Sequence, residues 1–178
     1  MSKSAEAFKD QIKDAEDLLA HFDAQAKPPP ANAEVLKRAG LVMALTAWET
    51  FVEDRVREEL VSRLRVISGS LVGKFVLSKF EEELRRFHNP TSEKTRKLFQ
   101  EFLEIDVTTF WEWQHVDAAK AKKTLDELIS KRGDAVHRSK PVLIGAPPAP
   151  HLVKREDLER SIKFLKSLVE ATDKALAQ

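Results

Sequence analysis

The chain is predicted to be all-α, a bundle of about five to six helices. Three observations carry this. Only five glycines and eight prolines occur in 178 residues. Apolar residues recur every three or four positions through long stretches, and β-branched runs are few. Hydrophobic residues make up 42% and charged residues 33%, an ordinary globular mix rich in helix formers. A chain of this length fits one domain, 1–178, that buries its own core.

The elements follow in order. Residues 4–25 read as a first helix, with Phe8, Ile12, Ala15, Leu18, Leu19 and Phe22 at helical spacing. Pro28-Pro29-Pro30 ends it, so that residues 1–30 form an N-terminal helix and a stiff Pro-rich connector. Asn32 is the expected N-cap of a long second helix reaching about Val66. Its middle, Leu41 to Trp48, is apolar nearly all round and therefore buried on several sides. Ala39, Gly40, Ala44 and Ala47 allow close helix approach there. Ser68-Gly69-Ser70 marks a turn into a third helix, 71–87. Asn89-Pro90 is read as a start signal for the fourth, with Asn as cap and Pro at the first helical position. That helix carries Leu98, Phe99, Phe102 and Leu103. An irregular aromatic segment, 105–116, then leads into a fifth helix, 117–138. After a Pro-rich loop, Pro141 to Pro150, a last helix runs over 154–176.

Composition excludes several classes. Cysteine is absent, so there is no disulfide framework and no thiol nucleophile, which suits a reducing cytoplasm. The longest apolar stretch is too short to span a bilayer, and Met1 to Glu6 lacks the apolar region of a signal peptide. A cytoplasmic protein with no membrane partner is expected. Net charge is +1, so nucleic-acid binding must rest on local patches. His21, His88, His115 and His151 show no metal-ligand spacing, and no P-loop or dinucleotide fingerprint is present. Neither metal nor cofactor is expected.

The segment Lys131 to Arg138 concentrates the chemistry. On a continuous helix Arg132 falls in line with Leu125, Leu128, Ile129 and Val136. A guanidinium on a buried stripe is costly unless paired or put to use. His137 lies about 140° around the same helix. Such a pair suits a phosphodiester, with Arg binding phosphoryl oxygens and His moving a proton. A plainer reading stands beside it: Arg132 pairs with a buried carboxylate, Glu49 first among them, and His137 caps the helix C-terminus. Asp134, three residues before His137, either orients the imidazole or pairs with Arg138. Lys131, Arg138 and Lys140 are candidate contacts to an RNA backbone. Trp111 and Trp113 are read as a hydrophobic plug, with base stacking the less favoured alternative.

Together, the Arg132-to-His137 spacing, the Phe110 to His115 aromatic segment, the Ala47-Trp48-Glu49-Thr50-Phe51 helix and the Asn89-Pro90-Thr91-Ser92 turn resemble the HEPN family. The nearest likeness is to RiboL-PSP-type HEPN domains, over roughly residues 35–175. The resemblance implies an all-helical domain in which an R-x4-6-H motif, here Arg132 and His137, is a ribonucleolytic centre. It implies a metal-independent endoribonuclease that leaves 2′,3′-cyclic phosphate ends. It also implies a homodimer with two motif helices facing one cleft, and a role in phage defence or as a toxin restrained by an antitoxin or regulatory protein. Gly133 stands where the family commonly has a polar residue. The alternative is a non-catalytic HEPN module that binds RNA, nucleotide or a protein partner.

Overall fold

The computed structural model describes residues 1–137 and 153–177, leaving out the side chains of 134–137. Among the described residues six α-helices follow one another: α1 (Lys3–Asp23), α2 (Glu34–Arg63), α3 (Leu71–Leu84), α4 (Ser92–Leu103), α5 (Ala118–His137) and α6 (Arg155–Ala175). Two short 3-10 helices, Ala31–Ala33 and Val107–Phe110, join them. The fold is all-α, as the pattern predicts. Among the described residues no helix is long and apolar enough to cross a membrane.

Helix α2 is the axis, touching α1, α4, α5 and α6. That is why its middle is apolar on all sides: Leu41, Ala44, Leu45, Ala47, Trp48, Phe51 and Val52 are all buried. Gly40 has a packing role. A Cβ there would come within 2.8 Å of Leu158 Cδ2, so the missing side chain lets α6 approach α2. Leu158, Leu165 and Leu168 of α6 close the core from that side. The aromatic segment is indeed a plug. Trp111 is fully buried, edge-on to Trp48 with centroids 6.1 Å apart, and its indole N–H donates to Thr172 Oγ1 at 2.9 Å. It has no face left for a base. Trp113 packs on Phe164 of α6.

Two cap assignments need correction. Asn32 does not cap α2; it lies inside the 3-10 turn, and the residue before α2, Ala33, makes no side-chain cap. Extended Pro30 feeds that turn, whose carbonyls at Ala31 and Asn32 already accept the Glu34 N–H. A side-chain cap is thus redundant. Asn89 does not cap α4 either. The helix opens at Ser92, and Thr91 Oγ1 accepts the Lys94 N–H at 3.3 Å. The Ser92 N–H and hydroxyl donate to Asp126 of α5 at 2.7 and 2.8 Å. Pro90 therefore sits before the cap, in the α3–α4 turn. Helix α3 also stops short of 87, and buried Phe87 anchors the turn instead.

Candidate functional site

The site grows out of that turn. The indole N–H of buried Trp48 donates to the Pro90 carbonyl at 3.2 Å, tying the turn to α2. Asp126 ties its far end to α5. Asn89, between these anchors, has φ 53°, a left-handed conformation that Asn tolerates better than most side chains. Its carbonyl accepts the Thr91 N–H at 2.8 Å. The side chain is thereby turned toward α5.

Along α5 the apolar stripe is Ala121, Leu125, Leu128 and Ile129, all buried. Arg132 continues it, one turn on from Leu128 and Ile129. Its Nη1 donates to Glu49 Oε2 at 2.8 Å and to Asn89 Oδ1 at 3.1 Å. The two charged side chains keep 20% and 17% of their surface in contact with water. Both bonds to described residues leave from the same nitrogen, so neither commits the edge formed by Nε and Nη2.

Glu49 has a second neighbour. Its Oε1 lies 3.7 Å from Nδ1 of His88, whose side chain is 71% exposed. Lys94 Nζ in turn donates to the His88 carbonyl. One helical turn beyond Glu49, Glu53 has its carboxyl pushed above the ordinary range, chiefly by burial and then by repulsion from Glu49, against the pull of Arg57 and His88. The result is a small polar cluster of two carboxylates, an arginine, an imidazole and an amide, beside the turn that Trp48 anchors.

Of the residues singled out from sequence, Arg132 and Glu49 meet directly. His137 is the last residue of α5, and its side chain, like that of Asp134, is outside the described residues. Arg138, Lys140 and the 141–150 loop lie outside them as well. Lys131 is turned toward α6, with Nζ 3.7 Å from Asp157 Oδ2. Gly133 is helical, and a Cβ there would meet nothing within 4 Å. Sequence reading missed His88, Asn89 and Glu53. Two signals were available: a His-Asn pair directly before a proline, and a second carboxylate four residues after Glu49 on the same helix face. Among the described residues no group of three or more His, Asp or Glu gathers as a metal site would.

No curated protein matches the chain, and no solved structure does. The model of one family, RiboL-PSP-HEPN, matches residues 7–178, nearly the whole length. The chain belongs to the RiboL-PSP-HEPN family.

Proposed function

We propose that this chain is a metal-independent endoribonuclease with Arg132 and His137 as its catalytic pair. Family membership supports a nuclease or RNA-related module in general. The observation that carries the finer reading is the state of Arg132. It is positioned by Glu49 and Asn89 through one nitrogen and retains contact with water. Toward the described residues a guanidinium so held leaves its Nε–Nη2 edge uncommitted, in the fork geometry that matches two phosphoryl oxygens.

The chemistry is transesterification. The RNA 2′-oxygen attacks the adjacent phosphorus while its proton passes to a base, and the bond to the 5′-oxygen breaks. Products are a 2′,3′-cyclic phosphate and a 5′-hydroxyl. Arg132 stabilises the charge that builds on the phosphoryl oxygens, and His137 moves a proton. DNA, without the 2′-hydroxyl, is not cut. Two copies working as a homodimer would place both motif helices at one cleft. A cytoplasmic role in phage defence or as a toxin is what the family resemblance implies, and the danger of a free ribonuclease calls for an antitoxin or regulatory partner.

A second reading has its own support. The Glu49–Arg132 ion pair is also what a non-catalytic module would use to hold its helices together while binding RNA, nucleotide or protein. One experiment separates the two. Labelled mixed-sequence single-stranded RNA is incubated in EDTA with the wild-type chain, Arg132→Ala and His137→Ala. Cleavage by wild type alone, with cyclic phosphate ends, supports the nuclease. Retention of RNA without cleavage by all three supports the binding module, and 3′-hydroxyl ends or loss of cutting in EDTA overturn the mechanism.

A further inference from the structure

The geometry points to His88 as a second proton-transfer group of this site, the acid that protonates the departing 5′-oxygen. This rests on the nuclease reading above. In-line displacement puts the attacking 2′-oxygen and the leaving 5′-oxygen on opposite sides of phosphorus. One imidazole does not reach both at once, so the reaction calls for a base on one side and an acid on the other; where two copies share a cleft the second copy's His137 is the rival for the acid, and retention of the full rate by His88→Gln would favour it. Among the described residues His88 is the histidine beside the Arg132 cluster.

Three features suit it to the acid role. Its Nδ1 faces Glu49 Oε1 at 3.7 Å, and the other oxygen of that carboxylate binds Arg132. One carboxylate therefore lies against both groups, binding Arg132 through one oxygen and facing the His88 imidazole with the other. The His88 side chain is 71% exposed, so a polymer in solution can reach it. Its backbone is held, because its carbonyl accepts from Lys94 and its neighbour Asn89 accepts from Arg132. The charged groups around it are Glu49 and Glu53 on α2, Lys94 on α4 and Arg132 on α5.

The proton count closes. The base gains the 2′-hydroxyl proton as the new P–O2′ bond forms. His88, as imidazolium, gives one proton to O5′ as the P–O5′ bond breaks. Nothing is oxidised or reduced, and exchange with water restores both groups.

The test is leaving-group rescue. Two ribodinucleotides are compared, one with the natural 5′-oxygen and one with sulfur bridging at that position, since a thiolate departs without a proton. On the oxygen substrate His88→Gln is expected to cut about 100-fold more slowly than wild type. On the sulfur substrate it should cut at close to the wild-type rate, while Arg132→Ala stays slow on both. With so exposed a side chain His88→Gln should melt with wild type, and His88→Asn supplies a second variant. Equal rates for His88→Gln and wild type on oxygen would overturn the role while leaving the nuclease intact. An equal loss on both substrates would also overturn it, by making His88 a binding residue. If wild type cuts neither substrate nor longer RNA, the nuclease reading falls and the acid role falls with it.

Discussion

Helix α2 carries two arginine–carboxylate sites about two turns apart, and they are built for different ends. At the first, Arg55 on α2 donates from Nε to Asp173 of α6 at 2.9 Å and from Nη1 to Glu59 at 3.3 Å. The other Asp173 oxygen accepts the Ser2 N–H at 3.1 Å, and nearby Glu58 accepts the N–H groups of Lys3 and Ser4. Only 7% of the Arg55 side chain meets water. At the second, Glu49 is the α2 partner and Arg132 comes from α5, using one nitrogen toward the described residues and keeping 20% of its surface exposed. The residue types are the same. What differs is how many donors are committed and whether solvent reaches them. A guanidinium spread over two carboxylates locks three chain segments together, whereas one held from a single side is available for a ligand.

The largest expected effect breaks the first site. Arg55→Ala strands Asp173 in a poorly hydrated place and should lower stability by about 3–5 kcal/mol. Arg132→Ala should cost roughly 1–2 kcal/mol, because Glu49 retains water and His88. Urea unfolding of both variants gives the ratio. Equal losses would mean that Arg132 is as structural as Arg55 and would favour the non-catalytic reading.

Conservative substitution sharpens the contrast. Arg132→Lys keeps the charge but loses the flat fork, so RNA cleavage should fall by about 100-fold or more while the melt barely moves. Arg55→Lys should do the opposite, lowering the melting temperature while the protein that remains folded cleaves RNA at the wild-type rate. A fall in cleavage for Arg55→Lys beyond its loss of folded protein would erase the division between the two sites.

Much of this was legible in the sequence, for a physical reason. Helices announce themselves by spacing, and a charge on an apolar stripe is conspicuous because it violates the pattern that places its neighbours. Arg132 stood out that way. Glu49 is a candidate partner for it because it sits between Trp48 and Phe51, where a carboxylate needs a cation. Asn89 was misread because Asn-Pro is a sound helix-start signal and tertiary contact overrode it. Trp48 and Asp126 fix the turn from both ends, and Asn89 takes a left-handed conformation that points its amide at Arg132. The two anchors lie 42 and 34 residues from the turn residues they hold, too far along the chain to be read locally. His88 was lost with it, since a lone exposed histidine has no pattern until Glu49 is brought beside it.

Asn89 gives a smaller, two-part test. Asn89→Gly keeps the left-handed backbone and removes only the acceptor for Arg132. Asn89→Ala removes the same acceptor but, unlike glycine, keeps a Cβ at φ 53° without the polar side chain that lets Asn tolerate it, which should make it about 1 kcal/mol less stable than the glycine variant. Both variants should cleave RNA more slowly and to the same extent, because the lost contact is the same. If glycine restores the full rate, the Arg132 contact is dispensable and the turn acts only through its shape.

The smallest effect, and the one that tells the two sites apart without touching an arginine, is their response to acid. Burial pushes the Asp173 carboxyl up, but hydrogen bonds from Ser2 and the Arg55 charge outweigh it and hold the group below its ordinary value of 3.8. Its contribution to stability is present above that value and is lost as pH falls through the lower folded one. Glu53 has the reverse sign. Burial first, then repulsion from Glu49, raises its carboxyl above the ordinary 4.5, so its favourable contribution is complete below 4.5 and is lost as pH rises through the folded value. At pH 7 Glu53→Gln should therefore melt slightly above wild type, and the gain should vanish below pH 4.5. Asp173→Asn should melt below wild type at pH 7, with the deficit shrinking below pH 3.8. A Glu53→Gln variant that loses stability at pH 7 would mean that the carboxylate is bound by a cation rather than crowded by Glu49. The cation would then be Arg57, the one acting most strongly on Glu53, and the cluster beside Arg132 would be paired on its α2 side much as the one around Arg55 is.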